Sequence, residues 1–353
     1  MKKDLFISII VPVFNGGSHL DSCLDALLAS SHKTFEILVV DDGSTDESVH
    51  VCSRKGVKVL QLSRRSGPAA ARNYGAQQAR GDVFLFVDSD VVVRPGTVAQ
   101  VAADYVENPD VAAVFGSYDK VPHADSFLSQ YKNLYHHFVH QRSSPDAVTF
   151  WAGCGAIRRQ AFEEVGGFDE TRYAQPSIED IELGDRLRRA GFRILLDKEL
   201  QVKHLKQWTL ISLIRADVFY RAVPWSMMLV ENRDREIVND LNLRTADRIS
   251  AGLTGLSLVL LPLAAMMPEV IYIVLLCWAT IILLTRRLYL FFLKERGVIF
   301  AASAFPLQLL YYFYSSVAFA LCWVKYRLTN PRAEVRDNST KAKKLERAMH
   351  DEI

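Results

Sequence analysis

Short β-branched runs, FISIIVPVFN, FEILVV, VKVLQLS and VFLFV, recur between residues 6 and 87, with helically spaced segments between them. Such runs are too short for buried helices and read as strands covered on both faces. The first could mimic a signal peptide, but Pro12 and Asn15 break it and no small-residue cleavage site follows, so it reads as a strand. Ser18 and Asp21 then fit a helix-start box, and Leu20, Cys23, Leu24, Leu27 and Leu28 follow on one helical face. Thr45 can cap a short helix to about Arg54. Pro68 opens the helix PAAARNYGAQQA, which Gly81 closes. Pro95 opens another, and VAAVFGSY reads as a further strand. Strands alternating with helices at these lengths predict parallel βαβ units and an α/β fold with a mostly parallel sheet.

In such sheets ligands sit beyond the carboxyl ends of the strands. Asp41-Asp42 and Asp88-Ser89-Asp90 both follow strands, so both fall on that edge. Either alone reads equally well as a solvated, helix-capping turn; two on one edge count against that reading. Like charges beside a core repel and carry a desolvation cost. A hard cation would offset it, and oxygen ligands with no adjacent Cys or His suit Mg²⁺ or Mn²⁺. No glycine-rich P-loop with lysine is present.

Farther on, 125–142 reads as a helix whose His136, His137 and His140 suggest a solvated face rather than a metal site. GAIRRQAFEEVGGFDE reads as a turn, a helix to Val165 and a glycine stop. SIEDIELGDRLRRAGFRILL reads as a helix from about Ile178 to Ala190, a stop at Gly191 and another strand. Glu179 and Asp180 point about 100° apart on that helix, so one can face a cleft while the other pairs with an arginine. Dipole compensation at a helix start is the plainer reading of either acid. The five cysteines are scattered without metal-type spacing and read as reduced thiols.

The ordered set SIIVPVFN, VVDDGSTD, AAARNYGAQQARGDVFLFVDSD, GAIRRQAFEEVGGFDE and IEDIELGDRLRRAGFR closely resembles the family 2 glycosyltransferases, over roughly residues 5–205. The resemblance implies a GT-A (Rossmann-like) nucleotide-sugar-binding domain and an inverting transfer. Position by position it implies that Asp41 contacts the nucleotide base, with Asp42 and the backbone after Val11 building the same pocket. Arg72 would lie near the nucleotide. In the D-x-D pair, Asp88 would face the ribose and Asp90 would be the main metal ligand. His204 stands where some members carry a histidine near the metal or pyrophosphate. Asp180 matches the catalytic base, with Glu179 as its supporting partner. WAGCGAIRR, with Trp151 and Gly153, would line the acceptor side, and Cys154 there reads as a small packing residue. RADVFYRAVPW lies loosely where processive members carry an arginine–tryptophan motif; Arg221 and Trp225 could touch pyrophosphate and acceptor. It lacks Gln-x-x-Arg-Trp, which argues against a processive polymer synthase.

Half of all residues are hydrophobic, and the excess lies in 249–324. A spanning helix needs about 20 apolar residues. Three segments are candidates, near 249–267, 270–293 and 298–324: the first is borderline, Arg286 and Arg287 interrupt the second, and the third is long enough, with Pro306 a candidate kink. The organisation predicted is a catalytic domain over 1–205, interfacial amphipathic helices over 206–245, transmembrane helices over 246–326 and a basic, polar tail over 327–353. Arg244 and Arg248 before the first segment, and Arg286, Arg287, Lys294 and Arg296 after the second, predict a multi-pass membrane protein with its catalytic domain cytosolic. Lys325, Arg327, Arg332, Arg336, Lys341, Lys343 and Lys344 also pull the tail inside, against an odd number of crossings. A formal net charge of +2 makes no case for nucleic acid. The expected partners are a nucleotide-diphosphate sugar, UDP-linked before GDP-linked, a lipid-linked acceptor and the membrane; a homo-oligomer is compatible. Synthesis of a surface polysaccharide, or a catalytically silent nucleotide-sugar-binding scaffold, are the alternatives.

Overall fold

The computed structural model describes residues 5–232 and 245–330. It divides into two compact units: one runs through Leu213 and includes Thr285–Ala304, and the other takes Ile214 onward, Ala246–Leu284 and Phe305 onward. The first unit carries β1 (Ile7–Val13), α1 (Gly17–Leu28), β2 (Phe35–Asp41), α2 (Ser48–Lys55), β3 (Lys58–Gln61), α3 (Pro68–Gln78), β4 (Val83–Val87), β5 (Val91–Val92) and α4 (Thr97–Glu107). It continues through β6 (Val111–Tyr118), α5 (Phe127–Arg142), β7 (Asp146–Ala147), β8 (Cys154–Arg158), α6 (Arg159–Glu164), α7 (Glu179–Arg189) and β9 (Arg193–His204). The strands form one sheet in the order β3-β2-β1-β4-β8-β6-β9-β5, with β7 also paired to β9.

The registers of β1 with β2 and β4, β2 with β3, and β6 with β9 are parallel. Every residue of β1 is buried, as a central strand covered on both faces requires. Ile7, Ile9 and Val11 pack with Leu20, Leu24 and Leu27 of α1, while Ile10 packs with Ala69, Ala71 and Ala76 of α3 on the other face. The alanines and Gly75 let α3 lie close: a Cβ at Gly75 would fall 2.5 Å from Ile10 Cγ2.

Two features differ from the sequence-based expectation. The start of GAIRRQAF is not a turn: CGAIR is β8, antiparallel between β4 and β6. Its small residues hide the strand signature, and they are required there, because a Cβ at Gly155 would fall 2.3 Å from Trp151 O and 2.5 Å from the Phe150 ring. The histidine face of α5 is not solvated. His137 and His140 are buried, donating from Nδ1 to Tyr118 O at 2.7 Å and Gly116 O at 3.1 Å on β6. Burial pushes the His140 imidazole down to about 4, so it stays neutral.

The helical run after the sheet holds α8 (Leu210–Asp217), a π turn at Val218–Ala222 and α9 (Val223–Glu231). Then come α10 (Thr245–Ala264), α11 (Val270–Leu284) and α12 (Arg286–Thr329). In the second unit the buried Asp217 accepts from Tyr314 Oη at 2.8 Å and Arg221 at 2.8 Å. By length and composition α10 and α12 can cross a membrane, whereas α11 is shorter. α12 is broken at Gly297, whose φ of 85° and ψ of 178° are open to glycine alone. The apolar segment expected at 270–293 therefore ends at Leu284, and 286–296 is a separate helix belonging to the first unit. The tail cations from Arg332 onward, and residues 233–244 of the expected interfacial region, lie outside the described residues.

Candidate active site

Where β4 leaves the sheet, Asp88 N–H donates to Gly153 O at 3.2 Å, tying this strand end to the turn before β8. The chain then enters β5, whose Val91 pairs with His204 of β9. That register sets His204 Nε2 3.5 Å from Asp90 Oδ2. The Tyr118 ring at the end of β6 stacks on the His204 ring, centroids 4.1 Å apart and planes within 12°. Burial alone would raise the Asp90 carboxyl, but the His204 hydrogen bond and charge, with Lys206 and His19, hold it down at about 2.

Arg72 projects from α3 and is 4% exposed. It donates to Asp88 Oδ1 at 2.7 Å and to Glu179 Oε1 at 2.8 Å. Among the described residues its Nε has no hydrogen-bond partner. Burial pushes the Asp88 carboxyl up, and the Arg72 guanidinium opposes it. Glu179 opens α7 and spends its other oxygen on Ser177 N–H at 2.8 Å. Asp180, next on the helix, turns toward the Trp151–Gly153 turn and accepts from Ala152 N–H at 3.1 Å. Burial, and then the neighbouring Glu179 charge, push its carboxyl up to about 7. One short backbone segment thus touches Asp88 through Gly153 O and Asp180 through Ala152 N–H.

The acids after β2 have two different surroundings. Asp41 is buried and accepts from Ser44 N–H at 3.1 Å. Asp42 accepts from Ser66 N–H at 2.6 Å and Gly67 N–H at 2.8 Å, one oxygen each, and so fixes the loop that leads into α3. The Val11 side chain is fully buried in the sheet core, so only its backbone is open to a part in a pocket. Trp151 is half-buried, edge-on to Tyr118 at 4.8 Å and close to His136 at 4.9 Å. Gly153 makes room for it, since a Cβ there would lie 2.3 Å from the indole.

Arg72, Asp88, Asp90, Trp151, Gly153, Glu179, Asp180 and His204 are thus linked by direct contacts or adjacency at the carboxyl ends of β4 and β6, while Asp41 and Asp42 end β2. Trp225 is on α9 in the second unit. Tyr118 escaped the sequence reading, and His136 was read there as part of a solvated face. Pairing of β6 with β9 brings Tyr118 to His204, and α5 sets His136 against the Tyr118 ring at 4.4 Å. Buried Cys154 packs, its thiol pushed up to about 12 by burial and then by the nearby Asp88 charge.

Among the described residues no three His, Cys, Asp or Glu side chains converge as a self-sufficient metal site. Asp90 and His204 offer two donors. That fits Mg²⁺ or Mn²⁺, which keep waters and share one or two protein ligands with a substrate phosphate. It does not fit a resident structural ion.

Residues 8–166 match the family described as glycosyl transferase family 2. The chain is 33% identical over 124 residues to glycosyltransferase GlyG of Streptococcus pneumoniae, covering 34% of this chain and 41% of that one. It is 30% identical over 223 residues to the pre-mycofactocin glycosyltransferase of Mycobacterium tuberculosis, covering 61% and 46%. The chain thus spans less than half the length of these curated relatives. Among solved structures it is similar to the mannosyltransferase PcManGT of Pyrobaculum calidifontis with GDP-Man and Mn²⁺ (TM-score 0.53, 16% identity, 90% of this chain and 88% of that one). It is also similar to S. aureus TarS 1-349 with UDP-GlcNAc (TM-score 0.51, 18% identity, 92% of each). At these identities the likeness establishes the GT-A-like fold.

Proposed function

Since residues 8–166 match glycosyl transferase family 2, we propose that the chain is an inverting transferase anchored in a membrane by its C-terminal helices. It would move a sugar from a nucleotide diphosphate to a lipid-linked acceptor at the cytosolic face. Asp41 reads the base, Asp88 faces the ribose, and Trp151 and Gly153 line the acceptor side. The observation that carries this reading is the Asp180 carboxyl, raised to about 7 and held by Ala152 N–H.

A base works best when its pKa lies near the operating pH. Asp180 Oδ2 would take the acceptor hydroxyl proton as the oxygen attacks the anomeric carbon and the diphosphate leaves. One displacement inverts that carbon, and no protein nucleophile is needed. A divalent cation held by Asp90 and His204 would supply Lewis-acid neutralisation of the leaving diphosphate. Arg72 holds Asp88 and Glu179 in place by hydrogen bonds and charge. Glu179 keeps charge beside Asp180 and so keeps its proton affinity high. A lipid-linked acceptor is favoured because apolar helices able to cross a membrane follow the site in the chain.

The test is a donor screen, UDP-sugars first and GDP-mannose second, with Mg²⁺ or Mn²⁺ and extracted membrane lipids as acceptors. Asp180→Asn should lower transfer about 10²–10⁴-fold, the usual worth of a general base, while calorimetric binding of the nucleotide persists. If no nucleotide sugar is transferred or hydrolysed and Asp180→Asn changes nothing, the enzyme reading fails.

A further inference from the structure

We infer that the helix over 286–296 is a membrane-surface foot of the catalytic unit, seated on anionic phospholipid headgroups; this rests on the membrane-anchored reading above. The helix is two-faced. On one side Leu288 and Phe292 are buried, four residues apart as one helical face requires. Phe292 meets Tyr131 of α5 at 5.9 Å, and Phe291 stacks on His137 at 5.9 Å. Polar contacts lock its end: Glu295 pairs with Lys120 at 2.9 Å, and Arg296 donates to Lys120 O at 2.8 Å and Gln130 Oε1 at 2.9 Å. The fit to the catalytic unit is therefore specific.

The other side carries Leu290 at 60% and Leu293 at 45% exposure, with Arg287 and Lys294 beside them. Just past the Gly297 break, Ile299 is 81% exposed. Leucines flanked by cations on an exposed face form the chemistry of a helix lying in a headgroup layer. Chain continuity selects the occupant. Two residues upstream, at Leu284, the apolar α11 ends, and at Gly297 the chain enters the long apolar stretch of α12. With both neighbours in a bilayer, this face is held at its surface, where basic side chains attract anionic lipid.

The test uses the full chain in nanodiscs. The native cysteines are buried, so Leu290→Cys can be labelled with an environment-sensitive fluorophore, with Ser22→Cys on α1 as the solvent control. A blue-shifted emission at 290, quenched at least twofold by lipids brominated near the headgroup and unchanged at 22, is the expected result. Arg287→Glu with Lys294→Glu should weaken that quenching in phosphatidylglycerol discs several-fold more than in phosphatidylcholine discs. Water-like, unquenched emission at 290 in a protein that resists carbonate extraction overturns the inference and leaves anchoring intact. Disulfide-linked dimers of Leu290→Cys without lipid quenching assign the face to a second copy and also overturn it. Release of the chain by carbonate overturns the anchoring reading itself.

Discussion

Arg72 is a buried cation shared between two carboxylates, so its neighbours cannot spare it. Removing one member of a buried charged set typically costs about 3–5 kcal/mol, because the partners keep charges without compensation. Arg72→Met should therefore lower stability by about that much in chemical unfolding. Arg72→Lys should recover only part of it, since an ammonium cannot present two parallel donors to Asp88 and Glu179. Asp180 behaves oppositely. Its folded-state pKa of about 7 lies above the ordinary carboxylate value, so the folded chain binds the extra proton between those values. Stability from this group is present below the ordinary value and is lost as pH rises through 7. Asp180→Asn should thus melt higher than the parent at pH 8, by on the order of 1–2 kcal/mol, less than the full shift implies because the carboxyl is partly exposed. The two proteins should melt alike near pH 4. Parent transfer activity should rise with pH along a limb centred near 7, as a pH–rate profile would show. The ionisation that the proposed chemistry needs is the one that the fold resists.

At the scale of elements, the entry to α3 decides where Arg72 stands. Asp42 secures Ser66 and Gly67, and Gly67 itself has φ 92° with Ala174 O 2.3 Å from where a Cβ would be. Asp42→Ala should lower stability by about 2–4 kcal/mol, two hydrogen bonds to a charged acceptor. It should also weaken nucleotide binding through Arg72; Asp42→Asn, which keeps one acceptor oxygen, should fall between in both melting and calorimetry. The sequence made β1, β2, β4 and α3 legible because each buries both faces or one clear stripe, and hydrophobic period reports burial. Likewise Asp88 and Asp90 could be placed because they follow directly on β4, and Asp180 because it stands in the first turn of α7. β8 was not legible: its residues are chosen for closeness to Phe150 and Trp151, not for β-branching. Nor was the stacking of Tyr118 on His204, since β6 and β9 pair across many intervening residues. Asp42 was legible as part of the acidic edge, yet which backbone amides it holds depended on a loop that no periodicity describes.

For the whole molecule, the helix over 286–296 constrains the topology. It packs within the catalytic unit, so if α10 and α11 cross a membrane as a hairpin, the turn at 265–269 is expected on the side opposite that unit. In intact cells a membrane-impermeant maleimide should label Met266→Cys, which is 82% exposed, and leave Ser22→Cys unlabelled until the membrane is opened. Equal labelling of both would refute a hairpin crossing. The cations at 286–296 made this arrangement legible in the sequence; the separate helix they stand on was not, because Leu288, Phe291 and Phe292 continue the apolar run of 270–284. The turn over Trp151–Gly153 has a wider consequence. Its peptide groups, not long side chains, tie both Asp88 and Asp180 to one turn. On the proposed reading, exchanging Trp151 for another side chain would change the acceptor surface without moving these two carboxylates. On that reading, recognition and chemistry rest on different atoms of the same short turn.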